Sequence, residues 1–199
     1  MKVFRLVTLL LLSGFGVMSC STKESEFDAS GVFESKEIIV SSEYAGKIIS
    51  FNIEEGNFVA KDAICGYIES PTQFGIKNCE IKSTIDGTVI LKYAEQGELA
   101  SVGKPLFKVA DLDNMILRIY ISSSQLTQIK LGQQIKVFAD FGTQSKEYLG
   151  VVAWVSPKAE FTPKSVQVKN DRDNLAYAVK INVQNDGFLK IGMYADVQL

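Results

Sequence analysis

From Gly31 onward the chain is written in short runs that alternate apolar and polar residues, broken by Gly, Asn and Asp. The runs "KEIIVSSE", "GKIISFNI", "GTVILKY", "PLFKVA", "MILRIYIS", "QIKVFAD", "YLGVVAWVS", "LAYAVKINVQ" and "YADVQL" have strand composition, with turn residues between them. In "MILRIYIS" Met115, Leu117, Ile119 and Ile121 share one face, and in "AYAVKINV" Tyr177, Val179, Ile181 and Val183 do the same. Period two therefore predicts strands almost throughout. The exception is "SSSQLTQIKLG" (122–132), where serines offer an N-cap, Leu126, Ile129 and Lys130 fall at helical spacing, and Gly132 can close one or two turns. Asp186-Gly187 in "NDGFLKIG" predicts a hairpin between the last two strands. The class is all-β, with a break near Asp111 that divides it into two units.

The first unit repeats itself. "AGKIISFNIEEGNFVAKDAICGYI" (45–68) lies over "DGTVILKYAEQGELASVGKPLFKV" (86–109) so that Gly46 meets Gly87, Glu54 meets Glu95, Gly56 meets Gly97 and Phe58 meets Leu99, an offset of 41. After Ala100 the match of Ile64 with Leu106 implies a gain of one residue in the second copy. Two copies are too few for a stacked solenoid, so they read as halves of one module with Gly46, Gly56, Gly87 and Gly97 at its turns.

The start of the chain has a different character. Lys2 and Arg5 precede an apolar run from Leu6 to Met18 that ends in "VMSC". Such a run is short of the roughly 20 residues a bilayer-spanning helix needs and reads as a secretory signal. Cys20 resembles the acylated cysteine of a bacterial lipoprotein box, which implies residues 1–19 as signal peptide and Cys20 as the lipid-bearing residue. The stretch 20–30, "CSTKESEFDAS", is polar and charged and reads as a flexible tether. The net charge of −2 becomes more negative once Lys2 and Arg5 are removed, so membrane attachment would depend on the acyl chains. Cys65 and Cys79 remain, as a disulfide permitted outside the cytoplasm or as two buried thiols.

Composition removes several function classes. There is no histidine, which excludes His-based triads and the commonest transition-metal ligand. No basic cluster interleaved with aromatics offers a nucleic-acid footprint. "DLDNMI" at Asp111 and "DRDNLA" at Asp171 lack the glycine and glutamate of a calcium loop and read as solvated turns. Glu54 and Glu55 stand beside the Gly56 turn, too wet for acid–base work. No catalytic residue, metal site or cofactor is expected.

The paired half-motifs resemble the biotinyl and lipoyl carrier domains, flattened β-sandwiches in which a turn between the halves presents a lysine for modification. Here that segment is "ESPTQFGIKNCEIKST" (69–84), and Lys77 and Lys82 are its lysines, without the flanking residues carriers require. The second half-motif continues as "KPLFKVADLDNMILRIYISSSQLTQIKLGQQIKVFAD", which resembles the HlyD-type membrane fusion proteins, periplasmic adaptors of efflux and secretion pumps. The likeness extends through 159–181 and 189–199, stretches similar to the branch that works with ABC transporters. The resemblance implies a lipoyl-like sandwich (barrel-sandwich hybrid) at 31–111 and a small β-barrel with one short helix at 112–199.

In that family a long α-helical hairpin separates the two halves and reaches toward a TolC-type outer-membrane channel. Here only residues 69–85 lie between them, with Pro71 and Gly75 interrupting any helix and no heptad pattern. A short loop carrying Ser70, Pro71, Gly75, Lys77 and Cys79 is therefore expected in the hairpin's place. The resemblance implies a non-enzymatic, lipid-anchored adaptor on the periplasmic side of the envelope, with an inner-membrane transporter as partner, ABC-type before RND-type. Self-association into a ring is also implied, whereas a TolC-type channel partner is in doubt without the hairpin. The alternatives are a stand-alone ligand-binding lipoprotein, with Tyr44, Tyr67, Phe74, Tyr93 and Trp154 as groove linings, or a carrier modified at Lys77 or Lys82.

Overall fold

The computed structural model describes residues 27–142, 144–161 and 175–199. Cys20 with its leader and tether, and the acidic run at Asp171, lie outside them. Thirteen strands follow in order: β1 (Ala29–Ser41), β2 (Gly46–Phe51), β3 (Phe58–Val59), β4 (Ile64–Thr72), β5 (Gly75–Lys82), β6 (Gly87–Lys92), β7 (Leu99–Ala100) and β8 (Pro105–Ile121), then β9 (Gln134–Asp140), β10 (Ser145–Val155), β11 (Glu160–Phe161), β12 (Leu175–Gln184) and β13 (Tyr194–Gln198). A four-residue helix, α1 (Ser123–Leu126), separates β8 from β9.

Two hydrophobic clusters organise these strands. Val40, Ile48, Phe51, Ile68, Val89, Leu106, Phe107 and Val109 lie in one, and Phe33, Leu117, Ile119, Val137, Ile181 and Val197 in the other. Around the first, β1–β8–β6–β3 and β5–β4–β2–β7 form the two layers of a flattened sandwich. Around the second, β1, β8, β12, β10, β9 and β13 close into a six-stranded barrel. Each fully buried Ile, Leu or Phe contributes about 1.5–3 kcal/mol by leaving water.

β1 and β8 serve both clusters, and a change of pleat in β1 lets them do so. In β1 the odd residues Gly31 and Phe33 face the barrel core, while the even residue Val40 faces the sandwich core. Side chains alternate at period two, so the inward face of β1 must reverse between them, which an odd register shift achieves. A register shift against β8 marks the place: Glu34 stands opposite Ile116 but Lys36 opposite Asp111, three residues out of step. In β8 the inward residues are odd on both sides of the junction, Phe107 and Val109 in the sandwich and Met115 and Leu117 in the barrel. The residues out of step lie between Asp111 and Ile116, where Asp111 Oδ1 accepts hydrogen bonds from the backbone N–H groups of Asp113 (3.2 Å) and Asn114 (3.1 Å). The acidic run "DLDN" is a self-capped irregularity between two cores.

The sandwich is built on a pseudo-twofold at an offset of 41 that never slips. Asn52 N–H donates to Cys65 O as Tyr93 N–H donates to Leu106 O, and Asp62 N–H donates to Ser83 O as Gly103 N–H donates to Ser42 O. The extra residue expected after Ala100 is absent: the counterpart of Leu106 is Cys65, buried like it, and Ile64 is 47% exposed. A buried thiol packs as a small apolar group, which hid the true match.

Two local expectations are also corrected. Ser122 caps α1 through a capping box with Gln125 and the helix is a single turn, as the sequence suggests, but its C-cap is Thr127 and not Gly132. None of the helix residues is buried, so nothing extends it past its costly first turn. Gly132 instead donates its N–H to Val152 O in the following turn. Asp186-Gly187 makes no hairpin between β12 and β13, because β13 pairs with β9 and β1. Both edges of β12 are occupied by β8 and β10, so only the gap between β9 and β1 is left for the last strand. Asn185 Oδ1 accepts from the N–H groups of Gly187 and Leu189 (2.9 Å each) and holds the intervening loop.

Candidate functional site

The half-motif glycines divide into two kinds. Gly46 and Gly87 lie where two strands touch: a Cβ would stand 2.1 Å from Glu69 O at Gly46 and 2.5 Å from Ala110 O at Gly87. Gly56 and Gly97 turn the chain with φ of 91° and 94°, in the left-handed region, with open space around them. Their N–H groups bond reciprocally across the twofold, Gly56 to Val89 O and Gly97 to Ile48 O. These glycines build the module, and Gly87 also borders the second of the clefts that flank it.

The segment between the halves is a β-hairpin, which corrects the expected open loop. Ser70 and Pro71 belong to β4, and Gly75, Lys77 and Cys79 to β5, with Pro71 opposite Ile76 and Thr72 opposite Gly75. Only Gln73 and Phe74 stand outside the ladder. Thr72 Oγ1 closes the turn, donating to Gly75 O (2.8 Å) and accepting from Phe74 N–H (3.3 Å). Pro71 is tolerated because its missing donor falls at the end of the ladder. The residues from Pro71 to Asn78 are all exposed, and Phe74 at the tip is 99% so. The twofold maps β5 onto the sandwich half of β1, and the end of β4 onto β8 at Asp111–Asp113. The hairpin therefore emerges at the position equivalent to the barrel junction.

The tip holds no lysine. Lys77 is paired opposite Ser70, and Lys82 forms an ion pair with Glu80 (2.6 Å) that raises the pKa of its ammonium. Cys65 and Cys79 are buried free thiols, and burial pushes the Cys65 thiol up. Cys79 stands opposite Ile68, three residues along β4 from Cys65.

Two open clefts flank the sandwich. The first, about 350 Å³, lies on the twofold between the ends of β1 and β5, with Val40, Ile68, Ile81 and Leu106 in its floor and Glu43, Asp62, Glu80 and Lys82 on its rim. The second, about 590 Å³, lies at the barrel junction beside Lys36, Phe58, Lys61, Asp86 and Asp111. Of the aromatic residues considered as groove linings, Tyr44 borders the first; Tyr67, Phe74, Tyr93 and Trp154 border neither. Among the described residues no group of three or more Cys, Asp or Glu side chains is placed to hold a metal ion, and no helix is long and apolar enough to cross a membrane.

Two charged clusters escaped the sequence reading because each is completed by a pair about 40 residues apart, Lys92 with Glu54 and Lys146 with Asp186. Lys92 pairs with Glu95 (2.8 Å) and Glu54 (3.0 Å), with its ammonium 5.6 Å from the centre of the Phe51 ring; the hydrogen bond to Glu95 leads the upward shift of its pKa. Lys146 bonds Asp186, which also accepts from the Tyr148 hydroxyl (3.0 Å) and Phe188 N–H (3.3 Å), and the Lys146 ammonium lies over the Phe188 ring at 4.5 Å. Both clusters clamp turns to strands.

The chain matches known proteins on both levels. No protein-family model matches it. A UPF0194 membrane protein of Yersinia enterocolitica is 34% identical over 124 residues, covering 62% of this chain and 38% of that protein. A UPF0194 membrane protein of Yersinia pestis is 33% identical over 127 residues, covering 63% and 38%. The matched stretch is thus less than two fifths of each relative's length. Among solved structures, MacA from Actinobacillus actinomycetemcomitans superposes with a TM-score of 0.65 at 18% identity, covering 85% of this chain and 76% of its own. ZneB from Cupriavidus metallidurans gives 0.57 at 16% identity, with 85% and 95% covered. The membrane fusion protein Spr0693 from Streptococcus pneumoniae gives 0.58 at 12% identity, with 85% and 99% covered. The sandwich and barrel are those of membrane fusion proteins.

Proposed function

We propose that this chain is a non-enzymatic adaptor subunit of an envelope transport complex, lipid-anchored through Cys20 on the periplasmic side and working with an inner-membrane transporter, ABC-type before RND-type. The observation that carries this reading is the continuity of β1 and β8 through both cores, which fuses a twofold lipoyl-like sandwich to a closed barrel. That architecture is common to the membrane fusion proteins it superposes on. Two unbroken strands with no flexible linker suit a part that transmits position between other subunits rather than one that turns over a substrate. The ABC preference is supported by the likeness of 159–181 and 189–199 to that branch of the family. The short β-hairpin, in place of a long helical arm, supports an adaptor without a TolC-type upper contact. Gly46 and Gly87 sustain the sandwich, and the exposed Phe74 marks the surface left for a neighbouring subunit or ring contact.

An affinity pull-down of the full chain from solubilised envelopes, with partners identified by mass spectrometry, tests the proposal. Recovery of an ABC or RND transporter without an outer-membrane channel is the expected result. Recovery of neither transporter type, in mild detergent and with Cys20 acylated, refutes the adaptor role.

A further inference from the structure

The outer wall of the barrel along β9 and β10 is apolar where a solvated wall would be polar. The outward residues of β10 include Leu149 and Val151, 59% and 39% exposed, and the turn before β9 holds Leu131 out by 70%. Between Val152 and Trp154 the register of β10 against β12 shifts by one residue. That bulge turns Trp154 outward, 37% exposed, with the Lys180 ammonium 5.5 Å from its ring centre. The cross-strand order makes the wall continuous: Val151 stands opposite Gln134 and Leu149 opposite Lys136, while Phe138 follows two residues on along the same face. Its charges divide along the wall: Lys130, Lys136 and Lys180 lie around Leu131, Leu149 and Trp154, while Asp140, Glu147 and Asp196 lie around Phe138. Lys130 and Lys180 make no ion pair among the described residues, and Lys136 pairs with Glu147 at 3.0 Å.

The described chain also begins on this wall. The Phe27 ring packs against Phe138 at 5.1 Å, and Asp28 N–H donates to Val197 O. Seven residues back from Phe27 is Cys20, so an acyl group there could lie no more than roughly 23 Å from the wall at 3.3 Å per residue. A surface with exposed Leu and Trp, rimmed by lysines and tied close to a bilayer, has the composition of an interfacial membrane contact. The sequence has no polybasic segment; the lysines of this wall converge only when β9, β10 and β12 pair.

We infer that the β9–β10 wall, centred on Leu131, Leu149, Val151 and Trp154 and rimmed by Lys130, Lys136 and Lys180, rests on the anionic headgroup surface of the bilayer that holds the Cys20 lipid. The orientation rests on the proposed anchor at Cys20. Trp154 is the only tryptophan in the chain, so its fluorescence reports on the wall without labelling.

The test reconstitutes the protein, as isolated from cell membranes, into phosphatidylcholine vesicles with and without phosphatidylglycerol, using lipids brominated near the headgroup end of the acyl chain. Trp154 is expected to be quenched by the brominated lipid, more strongly with phosphatidylglycerol present. Leu149→Asp should abolish the quenching, and Lys130→Gln should weaken partitioning roughly fivefold, the effect of one lysine near an anionic surface. Equal fluorescence in brominated and unbrominated vesicles overturns the inference. So does quenching that appears only after a bound protein is stripped away, because the wall would then face a partner. Intact mass of the same sample tests the anchor separately. If Cys20 is unmodified, co-sedimentation with phosphatidylglycerol vesicles tests the wall alone: binding keeps the inference and no binding removes it.

Discussion

Replacing each half-motif glycine by alanine separates the two physical roles that the repeat conceals. At Gly46 the new methyl would stand 2.1 Å from Glu69 O and 2.9 Å from Ile68 Cγ2, where ordinary contact begins near 3.4 Å. β2 must then move away from β4 by about an ångström, an overpacking cost of about 3 kcal/mol. Gly87, with Ala110 O at 2.5 Å, should cost about 2 kcal/mol by the same mechanism. Gly56 and Gly97 have room for a methyl and face only the left-handed backbone penalty, about 1 kcal/mol each. With a urea dependence of roughly 2 kcal/mol/M, the midpoint should fall by about 1.5 M for Gly46→Ala, 1 M for Gly87→Ala and 0.5 M for either turn glycine. Far-UV circular dichroism across a urea series measures it. A Gly46→Ala shift no larger than that of Gly56→Ala would refute the strand-contact argument, and clearly unequal shifts for Gly56→Ala and Gly97→Ala would refute the twofold.

Further predictions concern charge and redox state. The Lys146 hydrogen bond holds the Asp186 carboxyl below the ordinary aspartate range, and that to Asp186 holds the Lys146 ammonium above the ordinary lysine range. A depressed carboxylate pKa contributes stability above the unfolded value near 3.9 and loses it as pH falls through the folded one; a raised lysine pKa contributes below the unfolded value near 10.4 and loses it as pH rises further. The stability gap between the parent and Asp186→Asn should therefore be widest at neutral pH and close below about pH 4; a gap independent of pH from 2 to 7 contradicts the pairing. Thiol titration of the unfolded chain should find Cys65 and Cys79 both free with or without reductant, and both slow to alkylate in the folded state; a thiol count that rises on reduction would mean they pair.

Much of the fold was legible because the barrel cores alternate with period two. Leu117, Ile119, Ile181 and Val183 face inward as their spacing requires. The repeat was equally visible, since glycines that tolerate no Cβ are hard to replace. Cys65 misled the alignment because residue type does not reveal how a thiol packs. The hairpin from Glu69 to Lys82 looks like a loop in sequence because Pro71 and Gly75 are strand breakers in the general case. Here they occupy the exposed end of a ladder, where neither breaks anything. Lys146 with Asp186, and Lys92 with Glu54, stayed invisible because pairs about 40 residues apart carry no local signal.

Taken alone, the amino-acid order determined the strand character of nearly every segment, the two halves of the sandwich and the Ser122 cap. Each of these is written in a pattern spanning fewer than about 20 residues, or in a repeat that preserves it. The tertiary structure decided which strands are neighbours: β13 inserted between β9 and β1, β1 and β8 shared by two cores through a register shift that reverses the pleat of β1, and an apolar wall on β9 and β10. Pairing of distant strands is selected by closure of the barrel and burial of both faces at once, a global condition that no local pattern encodes.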